Sequence, residues 1–253
     1  MQNSILLEYC RMLNNPIRKQ SEELEEMSEF YNQTYAWKQN DNWLGWFQSE
    51  ALQPILRQLD STVCEILPRN SKVLEVGAGA GDQSIYLAEK GYSVVGIEAS
   101  NHAVKWANEK TQRLRSHPDF CQNQNIPIFL QDDARTLATQ SDSSFDAVLD
   151  GHCWHFITKF IDRGLFLSAV KRVLKPNGIL FIQSVCNEPH GLTGYDPATR
   201  TQFHGTRPVT FFGTPESLGS ELTHAGFQIL NEQVMPRQDE QSCDIYLCAA
   251  KVQ

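Results

Sequence analysis

The 253-residue chain is expected to fold as an α/β domain: a doubly wound, mostly parallel, seven-stranded sheet that ends in an antiparallel hairpin. Three observations carry that expectation. Apolar runs of strand length alternate with helical patterns between residues 72 and 184. A glycine turn, Gly77-Ala78-Gly79-Ala80-Gly81, joins the first run to the first helical pattern. The last two runs, 227–234 and 243–251, are separated only by a short polar loop, which implies an antiparallel pair.

Each element has its own signal. Residues 73–76 read as a buried strand, and Ile85, Leu87 and Ala88 mark the inward side of the following helix, which Gly91 ends. Residues 92–98 are a second strand with Glu98 at its tip. Ser100 caps a helix to about Arg115, with Ala103, Val104 and Ala107 inward. Strands follow at 126–131 and 145–150. Asp162 caps a helix through Phe166, Ala169, Val170 and Val173, and 178–184 is the fifth strand. Thr214-Pro215-Glu216 opens a last helix, stopped by Gly226. Alternation of this kind gives right-handed crossovers and helices on both faces.

Two stretches fall outside the alternation. Residues 1–70 form an N-terminal helical extension, set apart from the core domain of 71–253. Leu6, Leu7, Cys10 and Leu13 lie at helical spacing before Asn14-Asn15-Pro16, a second helix opens at Ser21, and a third spans 49–67 with Pro54 in its first turns. Between them lie Phe30, Tyr31, Tyr35, Trp37, Trp43, Trp46 and Phe47, an aromatic segment that either packs on the sheet or covers a ligand as a lid. Residues 185–214, rich in Gly, Pro, His and Thr and without periodicity, leave the carboxyl end of the fifth strand and read as a substrate-side flap.

The glycine spacing selects a ligand. A dinucleotide turn is G-x-G-x-x-G, with the helix N-terminus facing a pyrophosphate. Here the spacing is G-x-G-x-G and Asp82 follows, an anion that would repel a pyrophosphate. A cationic nucleoside without phosphate suits this turn. Glu98 stands about where a ribose-binding acid follows such a turn, and its carboxylate can accept from both hydroxyls.

These residues carry a family resemblance. Glu75-Val76-Gly77-Ala78-Gly79-Ala80-Gly81 resembles the first motif of class I S-adenosylmethionine-dependent methyltransferases, and Glu98 matches their ribose acid. Gln131-Asp132-Asp133-Ala134 resembles the adenine-side motif, 145–150 the fourth strand, and 173–178 the turn into the fifth, where Asn177 replaces a frequent glycine. The resemblance implies a Rossmann-like fold and S-adenosylmethionine as cofactor. It implies a cofactor set of Glu75, Gly77, Ala78, Gly79, Gly81, Glu98, Ala99, Asp133, Ala134, Asp150 and Gly151.

Methyl transfer from a sulfonium needs alignment, exclusion of water and, for a protonated acceptor atom, a base. Gly151-His152-Cys153-Trp154-His155 follows the fourth strand, where the family places residues beside the transferring methyl. His152 and His155 are the candidate bases, since neutral imidazole suits that role near neutral pH. Trp154 either stacks on a planar substrate or packs. Tyr31, Tyr35, Trp37, Trp154, His190 and His204 are the substrate-side candidates. A metal held by His152 and His155 would need His190 and His204 to complete it; the family mostly uses none, and no metal is expected. Neither the Asn/Asp-Pro-Pro-Tyr/Phe motif of amino-methyltransferases nor a Pro-Cys pair follows the fourth strand, so a small-molecule acceptor is expected.

Composition bounds the rest. Hydrophobic residues make up 41% and charged residues 21%, ordinary for a globular domain. A net charge of −8 argues against DNA as a partner. The first ten residues lack a signal-peptide pattern, no run is long enough to span a membrane, and seven scattered cysteines fit a reduced, cytoplasmic setting. Oligomeric state is not legible. The competing functions are methyl transfer to protein or RNA, an NAD-dependent oxidoreductase, and a non-catalytic S-adenosylmethionine-binding partner subunit.

Overall fold

The structure, a computed structural model, describes residues 16–40, 58–115, 125–236 and 243–252. The first elements are α1 (Pro16–Asn40), β1 (Lys72–Val76), α2 (Asp82–Glu89), β2 (Ser93–Glu98), α3 (Asn101–Arg115) and β3 (Ile128–Gln131). Then come β4 (Phe145–Gly151), α4 (Phe160–Val173) and β5 (Leu174–Cys186). The chain ends with β6 (Tyr195–Asp196), β7 (Thr201–His204), β8 (Arg207–Phe211), α5 (Pro215–His224), β9 (Phe227–Pro236) and β10 (Cys243–Lys251). Seven strands form one sheet in the order β3-β2-β1-β4-β5-β10-β9. β1 to β5 are parallel, and β10 lies antiparallel to both β5 and β9.

Alternation along β1 feeds the two faces. Leu74 and Val76 point into a core with Val148, Leu180, Phe166, Val170, Leu218 and Leu222, under α4 and α5. Val73 points the other way, to Leu87, Tyr92, Leu149, Phe181, Leu59 and Val63. Glu75 shares the Val73 face and meets α2, and that places a carboxylate inside the fold. No helix among the described residues is long and apolar enough to cross a membrane.

The helix starts follow side-chain capping in two of three expected places. Ser100 Oγ accepts the N–H of Ala103 at 3.1 Å, and Thr214 Oγ1 accepts that of Ser217 at 3.1 Å. Asp162 does not cap α4: that helix begins at Phe160 after an uncapped Lys159, and the Asp162 carboxylate turns to Arg135 at 3.5 Å instead. Asn177 adopts φ 61° within β5, where residues 175–178 bulge out of the pairing with β4. β3 begins at Ile128, two residues later than expected, because its pairing with β2 starts there.

Two differences bear on the site. Residues 185–214 are not an irregular loop: β6, β7 and β8 make a separate three-stranded antiparallel sheet, turned by the two-residue tip Gly205-Thr206. The N-terminal helix starts at Pro16 rather than Ser21 and runs unbroken for 25 residues, since proline fits a first helical turn. The expected helix over 6–13, Trp43, Trp46, Phe47 and Pro54 lie outside the described residues, while 58–66 is helical as expected.

Candidate active site

The carboxyl ends of β1, β2 and β4 lie side by side, and the glycine turn leaves the middle one. Gly79 has φ 53° and Gly81 φ 84°, left-handed conformations that favour glycine. The Gly79 N–H donates to Glu98 Oε2 at 3.0 Å, and the Ser100 N–H donates to Glu98 Oε1 at 2.9 Å. Glu98 is thereby fixed at the tip of β2, facing the turn. Burial pushes its carboxyl above the usual range, against those backbone bonds. Ala78 lies within the turn, its N–H donating to the Ile97 carbonyl at 2.9 Å. Gly77 carries Cys153 against it; a Cβ there would stand 2.6 Å from Cys153 Cβ.

Two more carboxyls line the same edge. Glu75 accepts from Ser84 Oγ of α2, and burial raises its pKa to about 8. Asp150 accepts the N–H groups of Cys153 at 2.7 Å and Trp154 at 3.1 Å, and burial raises it to about 7. Gly151 continues β4 beneath Gln83, whose Nε2 would meet a Cβ at 2.2 Å, and Gln83 Oε1 is a buried acceptor without a partner. Asp82 in the first turn of α2 pairs with Lys110 at 2.6 Å. Glu75, Glu98 and Asp150, buried acids with no lysine or arginine paired to them among the described residues, suit a ligand with positive charge and hydrogen-bond donors. They do not suit a pyrophosphate. The cradle thus fits a sulfonium nucleoside.

The adenine-side residues are placed differently. Asp133 Oδ2 accepts from Arg135 Nε at 3.0 Å and Nη2 at 2.8 Å, and its Oδ1 accepts the Arg135 backbone N–H at 2.9 Å. Ala134 is half-buried beside the α4-side core, and the Ala99 carbonyl accepts from Gln131 Nε2 at 2.9 Å.

Helix α1 lies over this edge. Tyr31 and Tyr35, one turn apart, share its inner face. A Cβ on Gly79 would stand 2.4 Å from Tyr35 Oη, so the phenol rests on the turn itself. Burial and the nearby Glu98 carboxylate raise Tyr35 well above the ordinary tyrosine range; burial and Cys153 do the same for Tyr31. Asn32 Oδ1 accepts from Ser100 Oγ at 2.8 Å and the His102 N–H at 3.0 Å, and Gln39 Oε1 meets His102 Nε2 at 2.7 Å. Trp37 is not part of the site: two residues past Tyr35 it faces away, 65% exposed.

The turn after β4 brings the histidines together. His152 and His155 rings stand 5.5 Å apart, and His155 Nδ1 lies 3.4 Å from Ser184 Oγ. The His152 N–H donates to the Gln183 carbonyl at 2.9 Å, and its backbone has φ 69°. Phe156 stacks beside His155 at 4.2 Å and meets Tyr31 edge-on at 6.4 Å. Trp154 is corrected: fully buried in the core with Phe166 and Leu218, it packs and cannot stack on a substrate. His190 and His204 stand apart from the histidines of this turn. His190, in the loop before β6, and His204, the last residue of β7, are both exposed, and no group of three metal-ligating side chains occurs among the described residues. Four residues of the site were missed. Asn32 and Gln83 look like ordinary helix surface in sequence, and Arg135 like a loop cation. Cys153, a buried thiol raised well above its ordinary pKa by burial, was legible only as a neighbour of the histidines.

Comparison with known proteins bears on the domain and the fold. A protein-family profile described as a methyltransferase domain matches residues 74–182. The chain is 30% identical over 115 residues to the ubiquinone biosynthesis O-methyltransferase of Pasteurella multocida, covering 45% of this chain and 46% of that one. Two further curated relatives are 35% identical, and the chain spans 42% and 33% of them, so it covers less than half the length of these three. Among solved structures, it resembles the 1,6-didemethyltoxoflavin-N1-methyltransferase of Burkholderia thailandensis, with bound 1,6-didemethyltoxoflavin and S-adenosylhomocysteine. That match has a TM-score of 0.64 at 21% identity and covers 90% of each chain. It also resembles the [4+2]-cyclase SpnF, with a TM-score of 0.62 at 19% identity, covering 81% of this chain and 83% of that one. Likeness at these identities establishes the fold.

Proposed function

We propose that this chain, whose residues 74–182 belong to the class I S-adenosylmethionine-dependent methyltransferase family, transfers a methyl group from S-adenosylmethionine to an O, N or S atom of a small-molecule acceptor. The observation that carries the reading is Glu98, held by the Gly79 and Ser100 N–H groups at the end of β2 beside a left-handed glycine turn. A carboxylate so fixed can accept from both ribose hydroxyls. Glu75 and Asp150 lie buried at the same edge, raised by burial to about 8 and about 7, and a cationic donor beside them would favour their ionised forms.

When bound, S-adenosylmethionine supplies a methyl group on a sulfonium, and the carbon–sulfur pair stays with sulfur in S-adenosylhomocysteine. The protein's own part is alignment, which contributes roughly 7–11 kcal/mol in well-oriented systems. Tyr31, Tyr35 and Phe156 exclude water from the edge, with α1 acting as a lid over it. His152 or His155 takes the acceptor's proton where it has one. The ubiquinone-pathway relative, by its name, methylates an oxygen, and this favours a hydroxyl acceptor here. The N-terminal extension, the small-molecule acceptor and a cytoplasmic setting belong to the same proposal.

The second reading is loss of transfer with retention of the fold, and SpnF shows that such architecture carries other chemistry. Calorimetric titration with S-adenosylmethionine, S-adenosylhomocysteine and NAD tests the first step. Micromolar binding of the first two and none of NAD is expected; tight NAD binding overturns the assignment. Turnover to S-adenosylhomocysteine across a panel of hydroxy, amino and thiol acceptors then separates enzyme from binding module.

A further inference from the structure

An unbroken series of ring contacts runs from the histidines to the surface. His152 lies 5.5 Å from His155, His155 lies 4.2 Å from Phe156, Phe156 lies 6.4 Å from Tyr31, and Tyr31 lies 5.3 Å from Phe30. The series ends on a charge: the Arg207 guanidinium stacks on Phe30, its Cζ 3.9 Å from the ring centroid. Three separate elements contribute. Phe30 and Tyr31 come from α1, His155 and Phe156 from the turn after β4, and Arg207 from the first position of β8, beside the Gly205-Thr206 tip.

Arg207 differs from the protein's buried arginines. Arg135 and Arg163 are each committed to carboxylates, Asp133 and Glu221. Arg207 is exposed, and no carboxylate among the described residues pairs with it. Stacking covers one face of the guanidinium and leaves the donors along its edge open; that fork matches a carboxylate or phosphate with two parallel bonds. Its charge also reaches the Tyr31 hydroxyl, where it opposes the effect of burial. The cation therefore stands at the outer end of the aromatic series, within electrostatic reach of Tyr31.

We propose that Arg207 is a specificity-determining residue that binds an anionic group, a carboxylate or a phosphate, on a planar acceptor whose ring lies against Tyr31 and Phe156. The inference rests on the methyl-transfer reading and deepens it. A planar acid would enter with its charge at β8 and its nucleophilic atom toward His152 and His155. A neutral planar molecule of the same size would lack the outer contact. An acidic protein of net charge −8 repels anions at long range, so a stacked arginine at the end of the aromatic series is the feature that would select them.

The test uses the full chain saturated with S-adenosylhomocysteine, after its binding has been measured. 4-Hydroxybenzoate, 4-hydroxybenzamide and phenyl phosphate are titrated by calorimetry or ligand-observed NMR. The benzoate should bind on the order of ten- to a hundred-fold more tightly than the amide, the size of a charge-assisted bidentate contact. Arg207→Gln should erase that difference while the chain stays folded and its S-adenosylhomocysteine affinity is unchanged, and Arg207→Lys should restore part of it. Preference for phenyl phosphate over the benzoate identifies the anion as a phosphate, and the reverse as a carboxylate. Equal binding of acid and amide, or binding of neither, overturns the proposal while leaving methyl transfer intact. Failure of S-adenosylhomocysteine to bind overturns the methyl-transfer reading and this one with it.

Discussion

The Gly79 N–H donates to Glu98 Oε2 across 3.0 Å, and this one bond ties the glycine turn after β1 to the tip of β2. Removing the carboxylate acts twice, on the ribose contacts and on the turn. Glu98→Ala should weaken S-adenosylmethionine and S-adenosylhomocysteine alike by one to two powers of ten, since charged hydrogen bonds contribute about 1.5–3 kcal/mol each. It should also destabilise the unliganded protein by about 1–3 kcal/mol, the cost of a buried N–H left without a partner. Glu98→Gln, which keeps a carbonyl acceptor, should lose less of both. Calorimetry and thermal melting read the two effects separately, and full affinity in the alanine variant would remove Glu98 from the site.

A second prediction concerns Tyr35. A methyl group at residue 79 would collide with the phenol oxygen, and the backbone there is left-handed. Gly79→Ala should therefore displace α1 as well as strain the turn. In a Tyr35→Phe background, which lacks that oxygen, the same substitution should cost measurably less. The difference is a coupling energy read from a double-mutant cycle on melting free energies. Strict additivity would mean that the phenol does not rest on the turn.

The buried acids predict a pH dependence of stability. Glu75 moves from an ordinary 4.5 to about 8 by burial, so between those values the unfolded chain releases a proton that the folded chain retains. Stability gained by keeping the proton is fully present below 4.5 and is lost as pH rises through about 8. Asp150 acts in the same direction, its loss complete near 7. Glu75→Gln should flatten the upper part of that decline in denaturant melts of unliganded protein. An unchanged slope above pH 7 would show that Glu75 is already ionised.

The same ionisations should separate two ligands that differ by one charge. S-Adenosylmethionine carries the sulfonium and S-adenosylhomocysteine does not. The ratio of their affinities should rise in favour of the cation as Asp150 and Glu75 lose their protons, near 7 and 8 respectively. Paired titrations at pH 6 and pH 9 check it; a ratio independent of pH would place the sulfonium away from both acids.

If His155 takes the acceptor's proton, turnover with a protonated acceptor should rise with pH through a single ionisation. His155→Gln should lower the rate and flatten the rise while leaving S-adenosylmethionine binding unchanged. A profile that keeps its shape would assign the proton to His152 or to water.

The parallel order of the sheet, the glycine turn and the antiparallel ending were legible because each is written locally: a period of two or of 3.6, a G-x-G-x-G spacing, a Thr-Pro helix start. Trp154 was not. An indole in a histidine-rich turn looks the same in sequence whether it points to the ligand or to the core, and only its burial in the cluster that also holds Phe166 and Leu218 decides. The strands within 185–214 were not legible for a related reason. β6 and β7 are two and four residues long, too short for alternation to register. Arg207 and Phe30 are 177 positions apart, and no spacing rule brings together a helix and a hairpin tip. Trp37 shows the opposite error, an aromatic grouped with its neighbours by sequence and parted from them by helical rotation.

His152 has a left-handed backbone, φ 69°, directly beside the ring that approaches His155. That conformation costs an ordinary L-residue roughly 1–2 kcal/mol and spares glycine and, in part, asparagine and aspartate. A saturation library at this codon would therefore report two quantities at once. Glycine and asparagine should outlive alanine and valine in a fold-only screen, although alanine is usually the innocuous choice. In a screen for turnover, glycine and asparagine stand as the silent controls: they keep the shape of the turn and remove only the imidazole.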